Sequence, residues 1–522
     1  MSTGKSNLKI NPKKSVAKFA SIIGTATLFS RVLGFIRDII IARLFGIYIY
    51  AQAFVVAFKI PNLLRDFVGE GASNSAIVPV FSEYSLKHSK EEFWELANVL
   101  LNLLLVVLSV ITILGIALAP LIVRVIAPGF VADPKKLETT VTLTRVIFPY
   151  VLLISLAAYS VGILNSLKQF TIPAFAPCLL NISLIIFILI FGEGIVGLAT
   201  GILVGGFLQL AVQIPLLYKK GFRLKLFKKF KHPAASLIAR LMLPRLLSSS
   251  IYQLNNFADS IFGSLAWVVG EGGVAVLYFS YRLVLFPLGI FGNALSQAIL
   301  PTFSTQVLDR DRDKLKEMLS WSLRVIFFVM LPASIGLMVL SRPIIATLFG
   351  GGKFGIGSVR ITSAALFFYS IGLFAYAGTK ILQSCFFALK DTRTPAKIAA
   401  VALIVNVVLN IILMFPLKIA GLALATSLSG INTFLLLLVI LKKKLGDFQI
   451  PRVKSSFVRI LAASLCMGAV CFLFSSNIII ANKVLNLSLL LLTGILSYIG
   501  FCFIFRVSEF RDLWDWLKQN RR

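Results

Sequence analysis

Long apolar stretches separated by short polar segments occupy almost the whole chain, and their lengths match the roughly 20 residues that an α-helix needs to cross a hydrocarbon core. With boundaries good to a few residues, they predict spans near 18–44, 49–84, 93–123, 139–166, 172–192 and 194–218. After a basic segment come spans near 236–268, 273–304, 315–349, 357–389, 394–416 and 419–442, then two more near 456–480 and 484–506. The expected fold is an all-α polytopic membrane protein of about 14 helices.

The order of these spans repeats. "GASNSAIVPVFS" (Gly71 to Ser82) aligns without gaps to "NALSQAILPTFS" (Asn293 to Ser304), with Pro79 falling on Pro301, an offset of 222 residues. The same offset places "LKQFTIP" on "LKDTRTP". Two six-helix lobes in the same order have parallel topology, the arrangement in which transporters rock one half against the other around a central site. A static bundle left by an old duplication is the plainer alternative. The resulting division is a basic N-terminus 1–17, a first lobe 18–218, a basic loop 219–235, a second lobe 236–442, spans 13 and 14 within 443–506, and a C-terminal segment 507–522.

Charge orients the spans. The N-terminus and the loops after even-numbered spans hold the lysine and arginine clusters, most densely at Lys219 to Lys231, so both termini are expected in the cytoplasm. Arg124, Lys135 and Lys136 weaken this asymmetry. No cleavable signal segment is expected, because the basic start leads into a long span that itself carries charge.

Composition agrees with the pattern. Of 522 residues 58% are hydrophobic and 14% charged, and the mean hydropathy is +0.91, far from soluble globular usage. The formal net charge of +31 is explained by topology and anionic lipid, so no nucleic-acid partner is expected. The five cysteines lie in apolar runs without CxxC spacing, which indicates buried small hydrophobes. "FGGGKFG" lacks the spacing and the Ser/Thr of a phosphate loop. With only His88 and His232, and no nucleophile constellation, the chain is not expected to be an enzyme.

The informative residues are charges inside apolar sequence, each costing at least about 2.5 kcal/mol at the bilayer centre unless it faces protein or water. "LFSRVLGFIRDIIIARLFG" carries Arg31, Arg37, Asp38 and Arg43. At about 100° per residue Arg31 and Asp38 share a face, while Arg37 lies about 100° from Asp38, so the carboxylate is expected to hold one arginine and leave another for a ligand. Gly34 between them is expected to loosen the helix. Span 2 adds Lys59, Arg65, Asp66 and Glu70 among Pro61 and Pro79, and "YFSYRLVLFPLGIFG" adds Arg282. Arg31, Arg37, Arg65 and Arg282 point to an anionic cargo, since a guanidinium fork matches phosphate oxygens. Arg43 and Lys59 read better as paired or snorkelling groups. In the second lobe Asp259, Asn406, Asn410 and Thr426 offer oxygens that suit a hard cation, although hydrogen bonds between helices explain the last three equally well.

"SRVLGFIRD", "VAFKIPNLLRDFVGEGASNSAIVPVFSEY", "FPYVLLISLAAYSVGILNS", "IPAFAPCLLNI" and "ALKDTRTPAKIA" closely resemble the MurJ/MviN family, the lipid II flippases of peptidoglycan synthesis, within the multidrug/oligosaccharidyl-lipid/polysaccharide exporter superfamily. The resemblance covers nearly the whole chain. It implies two six-helix lobes, a cationic head-group cavity, a groove at spans 13 and 14 for the polyprenyl tail, and a place in the bacterial inner membrane. It also implies lipid II, membrane lipids and cell wall synthesis proteins as partners. The family's functional arginines fall on Arg31, Arg37, Arg65 and Arg282, with Asp38, Glu70 and Gly34 supporting them. No organic cofactor is implied, and in some members a sodium site falls on Asp259, Asn406, Asn410 and Thr426.

Three positions depart from the family pattern. Gln52 and Tyr281 stand where many or some members carry Asp, and Asn410 replaces an acid at the ion site. Gating by an acid at position 52 therefore does not carry over. A flippase for another polyprenyl-linked glycan, a cation-coupled exporter and a non-transporting scaffold remain as alternatives.

Overall fold

The computed structural model describes residues 12–65, 77–226, 229–230, 232–238, 240, 257–477 and 481–511. Their regular structure is helical, apart from an isolated backbone bridge between Gly351 and Phe354. Among the described residues nine helices are long and apolar enough to cross a membrane, and a tenth span is formed if the bent pair Ile356–Ile371 and Leu373–Ala388 is counted as one. The chain is a multi-pass membrane protein.

The helix Pro12–Phe45 runs unbroken through Gly34. Helices Ile49–Arg65 and Val78–Lys87 flank 66–76, which lie outside the described residues together with Asp66 and Glu70. Pro79 occupies the first turn of its helix, where the N–H it lacks would be unpaired anyway. Several helices begin on a side chain that accepts from an otherwise orphaned N–H: Ser89 from Glu92, Asp133 from Lys136, Asp311 from Lys314.

The chain forms two compact units, one of residues 1–44, 53–125 and 133–250, the other of 45–52, 126–132 and 251–522. In the first, helix Thr171–Phe191 folds back on Ile195–Ala211. Close approach requires glycine here: a Cβ at Gly197, Gly201 or Gly205 would come within 2.8, 2.8 and 2.9 Å of backbone atoms of Phe187, Leu184 and Leu180. A second cluster packs Phe81, Phe93 and Tyr159, whose hydroxyl donates to the Ala97 carbonyl at 2.6 Å.

In the second unit the predicted spans 11 and 12 form one element, Arg393–Leu445, broken at Lys418 (φ 53°, ψ −133°). The arms 393–417 and 419–445 pair closely: Ser429 Oγ donates to the Ala402 carbonyl at 2.7 Å and Asn406 Nδ2 to Thr426 Oγ1 at 3.2 Å. Phe327, on Arg312–Val339, meets Phe374, Phe434 and Phe457 edge-on, which seats helix Ile450–Asn477.

The repeat is visible in backbone geometry. Lys168 and Lys390, 222 residues apart, both adopt the left-handed conformation, at φ 58° and 59°. Gln169 N donates to Leu164 O at 2.8 Å and Asp391 N to Phe386 O at 2.9 Å, so the same Schellman ending closes equivalent helices. The hairpins that follow begin at Thr171 and Arg393, again 222 apart.

Asp391 ties the two ends of the second hairpin. Its carboxylate accepts from Lys444, and from Thr394 N at 3.0 Å and Oγ1 at 2.6 Å. Burial raises its pKa, but the hydrogen bonds from Lys444 and Thr394 outweigh burial and bring it down to about 2. A native pKa below the ordinary value of about 3.9 gives stabilisation that is complete above that pH and is lost as pH falls toward the native value. The thermal midpoint of the purified chain should therefore drop between about pH 4 and pH 2, and Asp391→Asn should lower it at pH 7 while flattening that acid response. An identical acid profile in the variant would remove Asp391 from the account.

Candidate functional site

Arg37 and Asp38 are 5% and 0% exposed, so both charges are inside the protein. Although neighbouring residues point about 100° apart, the arginine side chain is long enough to curl back. Its Nε and Nη2 donate to Asp38 Oδ1 at 3.0 and 2.7 Å. Nη1 donates to Asn181 Oδ1 at 3.0 Å, and Asn181 Nδ2 donates onward to the Ser30 carbonyl at 3.1 Å. The guanidinium carbon also lies 5.8 Å from the centre of the Phe54 ring, within cation–π range. One guanidinium thus joins the first helix, Ile49–Arg65 and Thr171–Phe191. Asp38 holds Arg37, leaving Arg31 exposed and without an ion pair among the described residues. Arg43 is exposed and Lys59 half-buried. Arg65 closes its helix, and Glu70 lies outside the described residues.

Arg282 is half-buried on Gly273–Pro287 in the second unit, its guanidinium carbon 6.0 Å from the Tyr278 ring centre. The four oxygen-bearing residues predicted for a cation come together there as one directed chain. Asn410 Nδ2 donates to Asn406 Oδ1 at 2.9 Å, Asn406 Nδ2 to Thr426 Oγ1 at 3.2 Å, and the Thr426 hydroxyl proton is shared between the Leu422 carbonyl at 3.2 Å and Asp259 Oδ1 at 3.4 Å. Asn410 is fully buried and its Oδ1 has no partner among the described residues. Asp259, Asn406 and Thr426 line a cavity of about 170 Å³ with Tyr281, Tyr376 and Lys380. One carboxylate, one hydroxyl and two amide oxygens, one of them the unpartnered Asn410 Oδ1, make a donor set that fits a hard cation such as sodium.

Lys380 was not among the residues expected at this site, although its position inside the apolar run "YAGTKILQS" is a signal of the same kind as the arginines. A second signal is the repeat itself, since Arg37 and Asp259 are 222 residues apart. Equivalent positions of the two lobes carry opposite charges. Tyr281 packs against Tyr369 with ring centres 5.1 Å apart and planes tilted by 54°. Gln52 is 2% exposed and its Nε2 has no partner among the described residues.

A family model described as lipid II flippase MurJ matches residues 41–493, most of the chain. The chain belongs to the lipid II flippase MurJ family. It is 35% identical to the probable lipid II flippase MurJ of Buchnera aphidicola subsp. Acyrthosiphon pisum, over 86% of this chain and 88% of that one. It is also 35% identical to the lipid II flippase MurJ of Burkholderia cenocepacia, over 85% and 87%. A solved structure of lipid II flippase MurJ in an inward closed conformation superposes with a TM-score of 0.80 at 30% identity, covering 94% of this chain and 99% of that one. An inward-facing multidrug MATE transporter superposes at 0.66 with 17% identity, a likeness of fold alone, covering 80% of this chain and 95% of that one. MurJ membership places Arg37 and Asp259 in a carrier fold.

Removing one partner of a buried ion pair leaves an uncompensated charge, whereas replacing both with apolar groups is close to neutral. Arg37→Ala should therefore destabilise the chain by about 3–5 kcal/mol, and Arg37→Met combined with Asp38→Leu should recover most of the loss. Thermal unfolding in detergent reads both. Equal stability of Arg37→Ala and wild type would mean that the pair carries no structural role.

Proposed function

We propose that this chain is a lipid II flippase, moving the undecaprenyl-pyrophosphate-linked peptidoglycan precursor from the cytoplasmic to the periplasmic leaflet by alternating access. The observation that carries the reading is the near full-length likeness to MurJ proteins, 30% identical to the solved MurJ structure over 94% of this chain. The chain sits in the bacterial inner membrane with both termini cytoplasmic. It acts as a carrier, not as an enzyme.

Arg31, Arg37, Arg65 and Arg282 serve the pyrophosphate and sugar head group, and Glu70 and Asp38 balance their charge. Their roles differ. Arg37 is committed to Asp38 and Asn181, so it sets the position of the first helix, while exposed Arg31 offers its fork to phosphate oxygens. Spans 13 and 14 take the polyprenyl tail. Asp259, Asn406, Asn410 and Thr426 hold sodium, which when bound supplies a positive charge beside the Asp259 carboxylate. Those residues are otherwise linked by the hydrogen-bond chain that ends on Asp259, which leaves Asn410 Oδ1 without a partner among the described residues.

The test is complementation of a cell depleted of its own lipid II flippase, scored by precursor exposed at the outer leaflet. Wild type should rescue, and Arg31→Ala and Arg282→Ala should each lose at least about tenfold at equal membrane abundance, a deficit of about 1.4 kcal/mol in transition-state binding. Arg31→Lys should restore only part, because an ammonium lacks the planar fork. Failure of abundant, folded wild type would shift the reading to another polyprenyl-linked cargo or to a scaffold.

A further inference from the structure

The first unit holds a cleft of about 610 Å³ between the start of helix Lys90–Ala117 on one side and residues 219–225 and Lys229 on the other. The basic segment is fixed there by its backbone. Asn98 Nδ2 donates to the Arg223 carbonyl at 3.0 Å while its Oδ1 accepts from Lys225 N at 2.7 Å. One turn further on, Asn102 Nδ2 donates to the carbonyls of Lys225 at 3.1 Å and Lys229 at 3.3 Å. Two asparagines four residues apart thereby place a set of cations along one wall.

Lys90, Lys219, Lys220, Arg223, Lys225 and Lys229 all line the cleft, against only Glu91 and Glu95. Glu95 is already engaged by Lys229 at 2.6 Å. Asn102 is 1% exposed, and its Oδ1 has no partner among the described residues, so the cleft also contains a buried acceptor that calls for a hydroxyl or water donor. Trp94 forms part of the wall, its ring 5.6 Å from that of Phe222. Asn102 lies about 18 Å along the helix from Lys90 by axial rise, and the exposed apolar Val106 and Val107 begin one turn later. The cleft therefore reaches from the aqueous side to the level at which the helix turns apolar, where membrane phosphates lie and a tryptophan is at home.

We propose that this cleft is a binding site for a phosphate-bearing anion that also carries a hydroxyl group, separate from the transport arginines. Phosphate oxygens meet the lysines and Arg223, the hydroxyl donates to Asn102, and net charge holds the ligand with a strong salt dependence. Such chemistry is shared by a glycerophospholipid head group and by a soluble phosphate ester. Neither requires lipid II, so the site stands or falls independently of the transport reading.

The test titrates the purified full-length chain, in neutral detergent, with short-chain phosphatidylglycerol, glycerol 3-phosphate and short-chain phosphatidylcholine by calorimetry. Saturable binding of phosphatidylglycerol alone identifies a membrane source, and equal binding of glycerol 3-phosphate a soluble one. In either case the Lys219→Gln/Lys220→Gln/Lys225→Gln variant should bind at least about tenfold more weakly. The single Lys225→Gln variant, altered at an exposed side chain, should show a smaller loss in the same direction at an unchanged thermal midpoint. Absence of saturable binding by either anion, equal binding of phosphatidylcholine, or equal affinity in wild type and both variants would overturn the proposal.

Discussion

An ionised side chain within a bilayer must be met by protein or water, and this requirement organises the chain more than any single apolar contact. Apolar burial between helices adds little where lipid is as apolar as leucine. What distinguishes one packing from another is where Arg37 and Asp38 go. They go to each other, and the third guanidinium nitrogen donates to Asn181 on a helix 144 residues away in sequence. The same constraint acts at Asp259, reached through Thr426, Asn406 and Asn410. Both assemblies connect an early helix of a lobe to the hairpin that ends it.

That parallel follows from the duplication. The Schellman endings at Lys168 and Lys390 and the hairpins that start at Thr171 and Arg393 are the same structure twice. The hairpins are closed differently. Gly197, Gly201 and Gly205 bring backbones together in the first, whereas the second has Gly421 against the Leu413 backbone and adds a break at Lys418 and hydrogen bonds from Ser429 and Asn406. Equivalent positions 37 and 259 have diverged in sign. The duplicated fold thus holds a buried ion pair, Arg37 with Asp38, in one lobe and a hydrogen-bonded carboxylate, Asp259, at the matching position of the other.

The helices and the repeat were legible in the sequence because span length and proline positions are local properties. So was the oxygen set at Asp259, since Asn406 and Asn410 share a helix face and Thr426 falls on the next arm. The partner of Arg37 was not legible: helical angle alone sets Arg37 and Asp38 on different faces, and only the reach of the arginine side chain and the arrival of Asn181 decide the pairing. Lys380 was missed for a similar reason, since one lysine in an apolar run does not reveal that it borders the same cavity as Asp259. The grouping of 45–52 and 126–132 with the second unit depends on tertiary contacts such as Gly129 N donating to Ser264 Oγ at 2.9 Å, which no local pattern encodes.

The central claim is that the arginines recognise the charged head group of a lipid-linked precursor. The most direct measurement is the affinity of the purified chain for lipid II beside an analogue with the same sugar, peptide and polyprenyl tail but an uncharged linker in place of the pyrophosphate. Recognition through the arginines predicts that the analogue binds at least about tenfold more weakly and that Arg31→Ala/Arg282→Ala narrows the difference. Equal affinity for both ligands in the wild-type chain would contradict it.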